Sequence, residues 1–204
     1  MKIHFSDYTL GAGVVTALVN TSALVRRSTG EMLVDASALG RFLSEHDVPL
    51  TQGVKPTAED LEQVLVLRRE LRRILETTDE DHVAEAANAL VGQAGASPLL
   101  TRDTDGHWQW YLATEPHASL AEELATLSGT GLLGVLRALS YDRVRHCASP
   151  VCDGMFIDTS KAGRRRYCMP DLCGNRLNVA NHRVRRLKNA QGSSARSKGE
   201  EPSG

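Results

Sequence analysis

The 204-residue chain has no long hydrophobic run. Its longest apolar stretch near the start, Leu10 to Val19, is broken by Gly11, Gly13 and Thr16, and it reaches only half of the roughly 20 residues that a membrane-spanning helix needs. A cleavable leader is not expected either, because Asp7 stands in the would-be basic region and Arg26-Arg27 stand where small cleavage-site residues belong. No cysteine precedes Cys147, so the front of the chain has no thiol nucleophile. It also has no phosphate-cradling glycine loop, since Gly11-x-Gly13 alone is too little for one, and no histidine and carboxylate cluster at ligand spacing; His82, His107 and His117 stand isolated. No internal repeat is evident. These absences count against a membrane protein, a solenoid and an enzyme, and the expected setting is the cytoplasm.

What is present is an ordinary globular composition, with 41% hydrophobic and 24% charged residues, enough for one domain of usual size and one small one. The net charge of −1 hides an asymmetry. Residues 1–142 carry 11 Lys and Arg against 20 Asp and Glu, whereas residues 143–198 carry 13 against 3. An acidic front and a basic back point to an anionic partner for the back.

Apolar periodicity predicts a mainly α fold with one β-hairpin. Helices are expected over 8–25, 36–46, 57–76 and 79–93, the third opened by Thr57-Ala58-Glu59-Asp60 as N-cap and acidic first turn. The four arginines of that helix, Arg68, Arg69, Arg72 and Arg73, alternate with glutamates and read as a solvated, salt-bridged face. The alternation around Asp103-Thr104-Asp105-Gly106 gives the hairpin, 98–102 with 107–112. Trp108 and Trp110 share one side of it, expected to cap the helical core, with a ligand pocket as the alternative. Helical spacing returns over 119–139, where Ser128-Gly129-Thr130-Gly131 is expected to separate two helices or kink one. The last fifteen residues lack apolar side chains beyond alanine and are expected to be disordered.

The cysteines form the sharpest pattern. Cys147-x4-Cys152-x15-Cys168-x4-Cys173 places two close pairs on either side of a loop, the arrangement a tetrahedral all-thiolate zinc site requires, with Pro150, Gly154, Pro170 and Gly174 shaping the turns. Four separate buried thiols, two disulfides or an iron–sulfur cluster are the alternatives. Four sulfur ligands would leave no open position, so the expected ion is a single structural Zn2+, with His146 and His182 outside its ligand set.

Between the pairs lies a loop with Lys161, Arg164, Arg165 and Arg166, suited to holding phosphates. From Cys173 the sequence reads as a helix with Leu177, Ala180, Val184 and Leu187 on one face and Asn178, His182, Arg185 and Arg186 on the other, flanked by Arg176 and Arg183. Arginine and asparagine on an outward helix face suit the major groove.

At Cys173-Gly174-Asn175-Arg176, together with Cys147, Cys152 and the run Arg164-Arg165-Arg166-Tyr167-Cys168, the chain resembles the CGNR zinc finger. Its front, through Leu18-Val19-Asn20-Thr21 and the helix at 57–76, resembles the ABATE-type domain that precedes such fingers. The resemblance implies a bacterial, actinobacterial-type protein of a group regarded as stress-induced transcription regulators, with the four cysteines as metal ligands. The expected organisation is a helical ABATE-like domain over 1–140 for sensing or dimerisation, the finger over 141–189 and a tail over 190–204. Asn20 and Thr21 are candidate ligand contacts, although a satisfied buried amide or helix-end group is the favoured reading of Asn20. The expected activity is DNA-binding regulation, nucleoid-associated when bound, by a protein that forms a homodimer and takes a small-molecule effector. A zinc-dependent RNA binder and a redox-responsive zinc-thiolate sensor are the rivals.

Overall fold

The computed structural model describes residues 1–4, 6, 8–48 and 55–174. The elements run β1 (Lys2–His4), α1 (Tyr8–Val19), α2 (Ala36–Glu45), α3 (Ala58–Glu76), α4 (Glu80–Gly92), β2 (Ser97–Arg102), β3 (Trp108–Ala113), α5 (Leu120–Ala138), β4 (Val144–His146) and β5 (Met155–Ile157). Beyond Gly174, the helix expected from Cys173 onward and the tail, with Arg176, Asn178, His182, Arg183, Arg185 and Arg186, lie outside the described residues.

Local chemistry sets the helix starts. The Thr57 hydroxyl accepts from Asp60 N–H while the Asp60 carboxylate accepts from Thr57 N–H, a closed capping box on α3. Ser119 and Glu122 build the same device on α5, and Asp35 and Asp79 cap α2 and α4 through their side chains. α1 stops at Val19, well short of residue 25, because the Asn20 side chain turns back onto the carbonyl of Thr16 and the chain leaves in a loop.

The glycine-rich centre of α5 neither breaks nor kinks it: the helix is continuous from Leu120 to Ala138. Its glycines answer a packing need. A Cβ on Gly131 would sit 2.5 Å from Ala12 N, one on Gly11 would sit 2.3 Å from Leu127 O, and one on Gly129 would sit 2.6 Å from Ala87 O. α1 and α4 therefore pack backbone to backbone on α5, at positions only glycine can occupy. Leu18, Leu39, Leu43, Leu71, Leu90, Leu124 and Leu127 are fully buried in the one core that these helices enclose.

The hairpin gains a third strand that the sequence reading lacked. β1 runs antiparallel to β3 with Ile3 opposite Leu112, in the order β1-β3-β2. Ile3 and Leu112 are buried against the helices, but the same face continues past the helical layer, leaving Trp108 58% and Trp110 55% exposed. The tryptophans therefore do not cap the core; Trp108 instead carries the Arg102 guanidinium 4.5 Å above its ring.

The arginine face of α3 is also less solvated than its pattern implies. Arg68 is mostly buried in a two-pronged ion pair with Glu31, with Nη1 at 2.7 Å and Nη2 at 2.9 Å from its carboxylate, and also donates to the Thr21 hydroxyl. Arg72 donates to the Asp153 carbonyl and pairs with Glu76. No helix among the described residues is long and apolar enough to cross a membrane.

Candidate metal centre and basic loop

β4 and β5 pair antiparallel, and the cysteines gather at the end of this small hairpin. Cys147 follows β4 and donates its N–H to the Gly154 carbonyl at 2.8 Å. Cys152 lies in the connecting turn, its N–H on Ser149 O. The chain then runs through the basic loop to Cys168, and a turn over Pro170–Gly174 brings Cys173 back, its N–H on Met169 O.

The four sulfurs all lie within 4.8 Å of one another. Cys152 to Cys168 and Cys152 to Cys173 are each 3.6 Å apart, and Cys168 to Cys173 is 3.8 Å. A tetrahedron with ~2.3 Å metal–sulfur bonds has edges of about 3.8 Å, so the donor set fits a zinc-sized, thiophilic ion with little rearrangement. The Gly154 amide points at Cys152 Sγ at 3.4 Å, and a Cβ at Gly154 would lie 2.4 Å from Cys168 Sγ and 2.7 Å from Asn20 Oδ1. Only glycine leaves room for the cluster there.

The surroundings shift three of the thiols, and not all in one direction. Burial pushes Cys168 far up, reinforced by charge on Cys147, and pushes Cys173 up to about 11, reinforced by the hydrogen bond with Cys152. At Cys147 burial also acts upward but is outweighed by hydrogen bonds from the backbone of Cys168 and Ser149, which lower it. Four crowded, largely buried sulfurs cannot all ionise without a compensating charge, which a dication would supply.

The cations of the loop are divided between structure and surface. Asp158 is fully buried and accepts from Ser160 N–H, the Ser160 hydroxyl and Arg165 N–H, which fixes the loop from inside. Burial acts on its carboxyl upward, but these donors and Arg145 hold it below the usual range. Arg165 turns inward, its Nε on the Tyr167 carbonyl, its Nη2 on that of Cys168 and its guanidinium 4.9 Å above the Phe156 ring. Lys161, Arg164 and Arg166 are exposed and have no ion-pair partner among the described residues. His146 is exposed as well.

β5 joins this hairpin to the helical body. Met155 and Ile157 belong to the main core while Phe156, on the opposite face, covers the cysteines. The outer edge of β5 is filled by side chains of the α1 end. Asn20 Nδ2 donates to the Met155 carbonyl at 2.6 Å, Met155 N–H donates to Asn20 Oδ1 at 3.2 Å, and Ile157 N–H donates to the Thr16 hydroxyl at 3.0 Å. These groups stand in for a third strand. Asn20 and Thr21 thus serve the fold, Thr21 by donating to Leu18 O, although both also border a cleft. Trp108 and Trp110 do not border it, so the four candidate pocket residues are not brought together.

A family model described as a putative stress-induced transcription regulator, ABATE, matches residues 13–137, which is more than half of the chain. The chain belongs to the ABATE family. A second model, the CGNR zinc finger, matches residues 143–186, so the finger follows the ABATE region directly and contains all four cysteines. Both families are of regulatory or zinc-finger type. No curated protein matches the chain. Within the ABATE region, the match begins at Gly13 and takes in the Asn20 end of α1, the part that holds β5 of the CGNR finger. Asn20 is a satisfied buried amide at a helix end, as its sequence context favours, but its partner was not legible: Asn20 and Met155 are 135 residues apart, and nothing local to either names the other.

Proposed function

We propose that the protein is a DNA-binding transcription regulator in which Cys147, Cys152, Cys168 and Cys173 hold one Zn2+ and the adjoining cations grip duplex DNA. Residues 1–140 form the regulatory part in this reading, residues 141–189 the finger and residues 190–204 a tail. Four thiolates close the coordination shell, so the ion would be structural and would supply folding free energy to a module with a very small core. The observation that carries the reading is the outward display of Lys161, Arg164 and Arg166, without acidic partners among the described residues, on a loop pinned by Asp158 and by the cysteine cluster. Pre-set cations of this kind position a protein on phosphates; sequence selection would fall to Arg176, Asn178, His182 and Arg186, with Arg183 and Arg185 as further nucleic-acid contacts. Arg165 acts differently, as a brace of the loop.

Duplex DNA is favoured over single-stranded RNA because the finger offers little for bases to stack on. Phe156 is fully buried beneath Arg165, leaving half-buried Tyr167. A redox switch gains no support from the sulfurs, three of which are buried.

The test is binding of a labelled duplex across a salt series. Replacing Lys161, Arg164 and Arg166 together with alanine should flatten the log–log salt slope by nearly 3, at about 0.9 per phosphate contact. An unchanged slope and affinity would remove the loop from the interface. Single-stranded RNA outcompeting the duplex would transfer the reading to RNA.

A further inference from the structure

Beside the finger lies a cleft of about 510 Å3, within the size range of small-molecule sites. One wall is α1 and α2 of the ABATE region and the other is the segment between Cys168 and Leu172 of the finger. Ala17, Leu33, Phe42 and Met169 give its lining an apolar part. The lining also includes two available guanidinium groups. Arg41 is exposed and makes no hydrogen bond or ion pair among the described residues, and Arg26 uses only Nε, on the Asn20 carbonyl, leaving its terminal nitrogens free of described partners. Arg165 is committed to the carbonyls of Tyr167 and Cys168. Glu45 and Asp171 also line the cleft, which sets the group against a multiply charged anion such as a phosphate.

A second observation points to the same place. Gly13 sits in the middle of α1, where glycine costs about 0.5–1 kcal/mol relative to alanine. Gly11 and Gly131 have a packing reason, but a Cβ on Gly13 would meet nothing within 4 Å. Gly13 borders the cleft, so the missing side chain keeps the cleft open.

We infer that this cleft binds a small organic monoanion with an apolar body, such as an aromatic or aliphatic carboxylate or sulfonate. The body would lie on Phe42, Leu33 and Met169, and the charge would meet Arg41 and Arg26. An occupant touches the ABATE helices and the finger at once, which is what an effector of the finger would need. The inference is independent of the DNA reading, since it is measured on the protein alone.

The probe is 8-anilinonaphthalene-1-sulfonate, titrated by fluorescence and calorimetry into the full, zinc-loaded chain. One saturable site is expected. Gly13→Leu, which fills open space in a helix that tolerates leucine, should weaken it at least tenfold, as should Arg26→Ala with Arg41→Ala. The neutral analogue N-phenyl-1-naphthylamine should bind at least tenfold more weakly. Trp110→Ser, which alters the exposed sheet face, should leave the affinity within twofold. Absence of saturable binding, binding that survives both Gly13→Leu and the arginine pair, loss on Trp110→Ser, or equal affinity for the neutral analogue would each overturn the inference.

Discussion

Replacing Asn20 with alanine removes the amide that occupies the outer edge of β5. In the wild type its Nδ2 serves the carbonyls of Thr16 and Met155, both at 2.6 Å, and its Oδ1 takes the N–H of Met155. Met155 is 2% exposed and Thr16 6%, so truncation takes the amide partner from one backbone donor and two backbone acceptors in a place water scarcely reaches. Each orphaned group costs about 1–3 kcal/mol. A water entering the vacated volume would recover part of this, so a loss of about 3–4 kcal/mol is expected, a large share of the roughly 5–15 kcal/mol that holds a typical domain together. Asn20→Asp should be at least as harmful, because it keeps an acceptor for Met155 N–H but turns a second acceptor toward two carbonyls. Denaturant unfolding of the zinc-saturated protein, followed by far-UV circular dichroism, gives the global figure, and hydrogen exchange at the Met155 and Ile157 amides gives the local one. Stability within about 0.5 kcal/mol of wild type, with unchanged exchange at Met155, would refute the clamp.

The glycines make a contrasting set. Gly11→Ala and Gly131→Ala force a Cβ into backbone and should each cost about 1–3 kcal/mol, and less than additively in combination because both act on one contact. Gly13→Ala should stabilise by about 0.5–1 kcal/mol. Thermal unfolding that ranks the three otherwise would contradict the packing described. The Glu31 carboxyl gives a pH prediction: burial acts upward on it, but hydrogen bonds from Arg68 and from the Leu33 N–H, with the Arg68 charge, hold it below the usual carboxylate range. A depressed acid contributes stability above its unfolded pKa, ~4.3 for Glu, that is lost as pH falls through the folded value. The stability gap between wild type and Glu31→Gln should therefore narrow below about pH 5, and a gap that stayed constant would exclude the ion pair as its source.

Signals that act within one or two turns were readable from the sequence. Thr57 with Asp60 and the Asp103–Gly106 turn each announce an element by chemistry that is complete within a few residues. The four-cysteine spacing did so for the sulfur cluster. Signals that depend on a distant partner were misread or missed. Glycines at 129 and 131 resemble helix breakers until α1 and α4 are seen pressing on them. Alternation places Trp108 and Trp110 on the face of Leu112 but cannot say how far the helices extend beneath it. Arg68 and Arg72 look like surface charge because Glu31 and the Asp153 carbonyl come from other parts of the chain. Arg165 looks like its neighbours Arg164 and Arg166, and only the carbonyls of Tyr167 and Cys168 set it apart.

The most direct measurement is duplex DNA affinity by fluorescence anisotropy as a function of metal content: chelator-stripped protein, then stepwise Zn2+ addition with elemental analysis of the same samples. A metal clasp beneath the basic loop predicts at least tenfold weaker binding without metal, full recovery at one Zn2+ per chain, and no recovery in a Cys168→Ser variant. Equal affinity of stripped and loaded protein, or a purified chain that takes up no metal, would contradict it.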